Sequence, residues 1–423
     1  MSEHRQAPGG NRVRMLLALA GPAVLFGVVS ALVLFGLDRL SLLLEHWVWA
    51  DLPAAVGADP AGGWWILGTL TVTGLAVGLT VRFVPGHAGP DSAAAELGGP
   101  PLPPGVVPGL ALAAVLGLAG GVSLGPENPI IAINTALLSA LAGRFFVRIP
   151  ARVIAGLAVA GTVGALFGTP VAAALLFTGL AGAMRTGGAL FDRLFLPLVS
   201  AGAGAVTMTL LGGTLLQVRL PPMGAPDGWD VLAALVIAPL AAAFGLLGVV
   251  VFARVHSGFR RLGSPVLYTT LGGALLGLLG VLGGPVTLFK GAAESARLLQ
   301  NPGGEEPWAL LGDALVKLAA LVIAAAAGFR GGRIFPAVFI GVAAGLAVAG
   351  FVPGIPVALA VSAAVLGLVL AVARDGWMAL FIAVVITGDV TVTGVLCLAV
   401  LPAWLVVTNA PHMLAKQGVP ENP

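Results

Sequence analysis

Charge is what this sequence has least of. Only 9% of its 423 residues are Asp, Glu, Lys or Arg, against roughly 25% in a soluble domain. The net charge of +3 is too small to argue for a nucleic-acid partner. A single cysteine, Cys397, excludes a disulfide framework and a thiolate metal cage. Five histidines are scattered along the chain and form no ligand set. With no HExxH string and no nucleophile paired to a base, an intramembrane enzyme finds no support, and neither metal nor cofactor is expected. The one tyrosine, Tyr268, stands near the start of an apolar run, where an interfacial anchor is expected.

What the chain has instead is hydrocarbon. It is 58% hydrophobic with a mean hydropathy of +1.04. Apolar runs cover 15–37, 63–83, 105–124, 153–182, 195–217, 229–253, 266–289, 307–327, 334–373 and 376–408. At about 20 residues per crossing these predict at least ten spans of a lipid bilayer, hence an all-α polytopic membrane protein. Glycine (62) and proline (31) interrupt most of the runs, as expected of close helix packing and broken helices.

The polar segments divide the chain. Residues 1–14 carry Arg5, Arg12 and Arg14 and read as a cytoplasmic tail ahead of a first span, not a cleaved signal. The acidic stretch 38–62 reads as an outside loop. Clusters at Arg144, Arg148 and Arg152 and at Arg254, Arg260 and Arg261 read as cytoplasmic. Residues 217–230 form a polar linker near mid-chain, so 15–216 and 231–408 are expected to be two membrane halves of a duplicated unit. A short tail, 409–423, follows.

Two stretches inside these halves carry the chemistry. In Gly120–Ile131 (GGVSLGPENPII) a lone acid, Glu127, sits between Pro126 and Pro129. The prolines resist a continuous helix, and Pro129 suits the first turn of a new one running through Ile130 to Ala142. An acid at such depth needs protein partners or a wet path; a solvated surface loop is the plainer alternative. In the second half Gly328–Pro336 (GFRGGRIFP) forms a similar break into an apolar helix. Both breaks present free N–H groups at a helix start, where an anion is favoured. Arg330 and Arg333 add positive charge there, though snorkelling arginines are equally consistent. A weaker third candidate is the polar island Gly89–Glu96 with Ser92. Asp313 with Lys317, and Lys290 with Glu294, stand four residues apart and are expected to neutralise each other. Asp389 either lines a path or caps a broken helix.

Taken in order, these motifs resemble the CLC chloride channels and proton-coupled chloride antiporters. Gly125–Pro129 (GPENP) is similar to the family's G-R/K-E-G-P element, and Gly331–Pro336 (GGRIFP) to its G-x-F-x-P element. Ser92 and Glu96 keep the spacing of G-S-G-I-P-E, and Phe167–Ala173 (FGTPVAA) looks like F-N-A-P-L-A-G. The strings GHAGPD, SLGPE, LFGTPVAAAL and GFRGGRIFPAVF are similar to a divergent bacterial subgroup named only for ion transport. The resemblance implies two inverted-topology halves with tilted and broken helices, a homodimer with one pore per subunit, and residence in the bacterial inner membrane. It implies passage of a small anion, chloride or similar, gated by Glu127. Ser92, Asn128, Arg333, Ile334 and Phe335 would line the anion site, and Val390 or Thr391 would stand where the family has a tyrosine. Thr178-Gly179-Leu180 replaces the inner glutamate of the coupled members, and Pro126 the basic residue beside the gate. Coupling to protons by that inner glutamate is therefore not expected. A secondary transporter of another class, carrying an organic anion through similar broken helices, is the runner-up.

Overall fold

A computed structural model of the chain describes residues 9–91, 100–145, 149–183, 190–213 and 220–414. In chain order its helices are α1 (Gly9–His46), α2 (Leu52–Val56), α3 (Gly63–Phe83), α4 (Val107–Ala119), α5 (Glu127–Phe145), α6 (Ala151–Phe167), α7 (Pro170–Ala183) and α8 (Leu190–Leu210). The second series is α9 (Gly228–Arg260), α10 (Pro265–Gly283), α11 (Ala292–Gln300), α12 (Pro307–Ala326), α13 (Ile334–Phe351), α14 (Val357–Ala373), α15 (Gly376–Thr387) and α16 (Val392–Val407). Among the described residues there is no strand, only one isolated bridge between Gly125 and Gly332.

Seven of the described helical stretches are long and apolar enough to cross a membrane. At least ten spans are expected from the sequence; glycine and proline cut several of those runs into shorter apolar helices, five of them 10–17 residues long among the described residues. Run 153–182 is cut at Gly168, which takes a left-handed φ of 68° and ends α6. Run 334–373 is cut between α13 and α14, at Pro353, Gly354 and Pro356, and run 376–408 at Gly388. The opposite correction applies to 38–62. Residues 38–46 extend α1, and a π-helical turn at Trp47–Asp51 carries the helix into α2. No proline interrupts that stretch before Pro53, so Asp38, Glu45 and Asp51 ride on a helix, and only Asp59 lies in the loop that follows α2.

The chain packs as two compact units. One comprises Met1–Gly36 with Asn134–Leu215, the other Leu37–Ile133 with Leu216–Pro423. In the first, α6 packs on α8 so closely that a Cβ on Gly164 would lie 2.1 Å from the Ala201 carbonyl oxygen. A buried polar knot joins three of its helices: Asn134 Nδ2 donates to Ser30 O (3.2 Å) and to Thr162 Oγ1 (2.8 Å).

In the second unit the same device recurs. Gly74 and Gly78 of α3 lie against Thr269 and Val266 of α10, Gly277 of α10 lies against Leu67 of α3, and a Cβ on Gly273 would meet Leu70 O at 2.2 Å. Lipid tails are as apolar as leucine, so contact between backbones, more than burial from water, drives such crossings. α13 and α14 are almost wholly buried, with Gly341 and Gly345 of α13 set against Val365 and Val361 of α14.

The α3–α10 crossing yields a stability prediction. A Gly273→Leu side chain has no space against the α3 backbone and should cost about 1–3 kcal/mol of overpacking. A lower Tm than wild type in detergent, read by intrinsic fluorescence, is the expected result.

Candidate anion site

Both sequence breaks lie in the second unit, and they meet. α4 ends at Ala119, and α5 begins at Glu127, two residues ahead of the expected Pro129 start. The first residues of a helix donate no intrahelical N–H bond, so Pro129 in the first turn costs nothing. On the other side α12 ends at Ala326, Gly328 turns left-handed (φ 78°), and α13 starts at Ile334. Gly125 N–H donates to Gly332 O at 2.8 Å, and Gly332 N–H to Gly125 O at 2.6 Å.

Just past this pair sits the acid. Glu127 is 1% exposed, and its Oε1 accepts from the backbone N–H groups of Ile334 (2.6 Å) and Phe335 (3.1 Å). The carboxylate therefore occupies the N-terminus of α13, where orphan donors and the helix dipole favour negative charge. Its Oε2 is buried with no hydrogen-bond partner among the described residues. Both glycines make this approach possible. A Cβ on Gly332 would stand 2.2 Å from Glu127 Cδ, and one on Gly125 would stand 2.0 Å from Oε2.

Arg330, three residues ahead of Arg333, turns away from the acid. Arg330 donates to the carbonyls of Ala88 (3.0 Å), Gly89 (2.8 Å) and Gly328 (2.8 Å), and to Asp91 Oδ1 (2.5 Å). It staples a loop in which His87 and Ala88 both hold φ near 52°, a conformation uncommon for residues with a side chain. Arg260 also bonds Asp91 and lies over the Tyr268 ring, 4.4 Å from its centroid. Tyr268 is thus a buried packing partner rather than an interfacial anchor. Burial alone would raise the Asp91 carboxyl. The His256 ring 3.6 Å away and the Arg330 and Arg260 charges outweigh it and hold Asp91 below the usual carboxylate range.

A match to the sequence model of the voltage gated chloride channel family spans residues 72–408. The chain belongs to the CLC family. Relatives of this CLC chain include two proteins named "Putative ion-transport protein YfeO". That of Escherichia coli O9:H4 (strain HS) is 45% identical over 414 residues, 97% of this chain and 98% of its own. That of Shigella boydii serotype 4 (strain Sb227) is 46% identical over the same length and shares. Among solved structures, a CLC-type fluoride/proton antiporter superposes with a TM-score of 0.72 at 18% identity, covering 94% of this chain and 97% of that one. A slow cyanobacterial Cl-/H+ antiporter gives a TM-score of 0.75 at 17% identity, covering 92% and 95%. The fold is therefore the CLC fold, a multi-pass arrangement of inverted halves with broken helices.

Within this CLC structure Glu127, Ile334 and Phe335 come together, and Asn128 is buried next to Glu127 in the first turn of α5. Arg333 caps α13, but its guanidinium Nη1 donates to the Met413 carbonyl. Arg374 Nη2 donates to Pro411 O at 2.7 Å, so the segment 411–413 is drawn in beside the second break. Sequence reasoning missed Met413; its stretch carries no motif, and only the buried position of its side chain marks it. Val390 is 75% exposed, and Thr391 gives its hydroxyl to Asp389 Oδ1 (2.6 Å). Asp389 also accepts from Met223 N–H at 2.7 Å; that trio fixes the linker to the turn before α16 and shares no hydrogen bond with Glu127. Ser92 and Glu96 lie outside the described residues.

Two expected ion pairs are corrected. Lys317 bonds three backbone carbonyls of Thr287–Phe289 instead of Asp313. Lys290 bonds Asp38 (2.8 Å) instead of Glu294. A buried ammonium takes the acceptors nearest to it in the fold, and helical spacing alone does not name them. No cluster of His, Cys, Asp or Glu suited to a metal occurs among the described residues.

The Asp91 carboxyl gives a pH prediction. Its folded value lies below the unfolded one, so its stabilisation is complete above about pH 4 and lost as pH falls through the folded value. Asp91→Asn should therefore lower the Tm at pH 7, with the gap from wild type narrowing below pH ~4 in a thermal series.

Proposed function

We propose that this CLC protein moves a small inorganic anion, chloride foremost, across the bacterial inner membrane, as a homodimer with one Glu127-gated pore per subunit. One observation carries the reading: a buried carboxylate oxygen rests on the Ile334 and Phe335 N–H groups at the start of α13. Donors that hold a carboxylate there can hold a halide in its place. Glu127 is then a tethered competitor for the outer anion position. A hydrogen bond to a charged group contributes about 1.5–3 kcal/mol, enough to keep the pore closed while the acid is ionised. Protonation removes that charge, and Oε2, which has no hydrogen-bond partner among the described residues, is the oxygen that takes the proton in this reading. An incoming anion displaces the carboxyl by the same competition. The Arg333 backbone, Asn128 and Ser92 complete the proposed lining.

Transport in this reading is uncoupled from protons by the family's inner-acid route. Thr178-Gly179-Leu180 carries no acid, and the Thr178 hydroxyl is donated to the Ala174 carbonyl at 2.7 Å. The second reading is a proton-coupled antiporter. It is favoured by the superposing structures, which are described as fluoride/proton and Cl-/H+ antiporters.

Chloride efflux from liposomes tests the gate. Wild-type flux should fall with rising pH, and Glu127→Gln, which imitates the protonated acid, should abolish that dependence. A variant whose flux still falls with pH as wild type's does would overturn the assignment. Coupling is tested separately, with a chloride gradient across proton-tight liposomes at clamped potential. Robust chloride flux without a proton signal is expected; uphill proton movement at a fixed ratio to chloride establishes the second reading.

A further inference from the structure

Lys317 is the one lysine wholly buried among the described residues, and nothing in the anion chemistry calls for it. It sits on α12 at 0% exposure, with Nζ 2.9, 2.6 and 2.7 Å from the carbonyl oxygens of Thr287, Leu288 and Phe289. The Phe339 ring lies 5.1 Å away. Three successive carbonyls do not converge on one point in a relaxed chain. Here they do, and Phe289, the last of the three, adopts a left-handed φ of 57°. A non-glycine residue in that region is strained and persists only where its surroundings impose it. The Lys317 side chain, a compact donor of three hydrogen bonds, spans all three carbonyls of this turn.

The turn so organised supports the loop that carries Glu127. Phe289 N–H donates to Gly121 O at 3.0 Å, and Ser123 Oγ donates to Thr287 O at 3.2 Å. Thr287 O is one of the oxygens that Lys317 holds. The edge of the Phe289 ring meets Trp49 at 5.3 Å between centroids, and Trp49 Nε1 donates to Ala119 O at 3.0 Å. The loop from Ala119 to Glu127 is thus fixed at both ends. Gly125 is tied to Gly332 near the acid, and Gly121 and Ser123 are tied to the Lys317 turn upstream.

We propose that Lys317 is a positioning residue for the Glu127 gate, setting the loop so that the carboxylate reaches the N–H groups of Ile334 and Phe335. The proposal rests on the reading of Glu127 as the gate. Glu294 is the acid whose charge acts on Lys317, and Arg333 the cation whose charge acts on Glu127. Lys317 makes no contact with the anion donors themselves, so its removal changes how well the gate closes, not the pore that opens.

The experiment is a double-variant cycle in liposomes, with chloride efflux read at pH 5 and pH 8. Lys317→Met and Ser123→Ala are each made in the wild-type and Glu127→Gln backgrounds. In the wild-type background Lys317→Met should raise the pH 8 flux by about fivefold or more, the worth of roughly one hydrogen bond, bringing it toward the pH 5 value. Ser123→Ala should do the same to a smaller extent, and it decides alone if Lys317→Met is not recovered folded. Neither should change the flux of the Glu127→Gln protein. A change of equal size in both backgrounds, or an unaltered pH 5 to pH 8 ratio in every recovered variant, overturns the positioning role. Glu127→Gln protein that keeps its pH dependence overturns the gate reading, and the Lys317 role with it.

Discussion

An ionised carboxylate in a low-dielectric interior has to be met by donors, or it does not stay charged. Here the donors are two backbone N–H groups, left without intrahelical partners because a helix begins there. That requirement accounts for much of the second unit. α12 and α13 are two separate helices, divided by the glycine- and arginine-rich stretch 328–333. The loops before α5 and α13 carry Gly125 and Gly332 because side chains there would occupy the space of the carboxyl group. The reciprocal hydrogen bonds between these glycines satisfy backbone groups that the broken helices leave open.

The scarce charged side chains follow the same economy. Arg330, Arg260 and Asp91 bind one irregular loop to the α9 terminus and the second break. Arg333 and Arg374 hold the 411–413 segment, and Lys317 gathers the turn after α10. Apart from the bonds to Asp91 and His256, these contacts end on backbone carbonyls of segments outside the α-helices. In lipid such segments are tolerated only inside protein, and a buried cation with several donors is an efficient way to satisfy them.

Much of this was legible from residue order, and the rest was hidden for definite reasons. Hydropathy revealed the class, and the Gly-Pro-Glu and Gly-Gly-Arg breaks revealed which helix starts face each other. Glycine and proline also marked where runs would be cut, but not whether each piece would reach spanning length. Partner choice was the least legible feature. Lys317 and Asp313 have ideal helical spacing, yet the carbonyls of Thr287–Phe289, some thirty residues earlier, claim the ammonium. The same holds for Lys290 with Asp38, and for Arg333 with Met413, because contacts across a fold carry no local signature. Val390 and Thr391 were placed by counting along a motif, and the bond from Thr391 to Asp389, which also holds the linker at Met223, could not be read that way.

The bond between Glu127 and Ile334 joins residues 207 positions apart, and this has a consequence for how the protein is made. Synthesis at about 5–20 residues per second separates the two by roughly 10–40 s. Throughout that interval the acid has been translated and its donors have not. The nascent chain must therefore keep Glu127 protonated, in water at the membrane face, or inside the insertion machinery until α13 arrives. Only then do the two glycines pair, and the arrival of the later helix completes the seating of the earlier one.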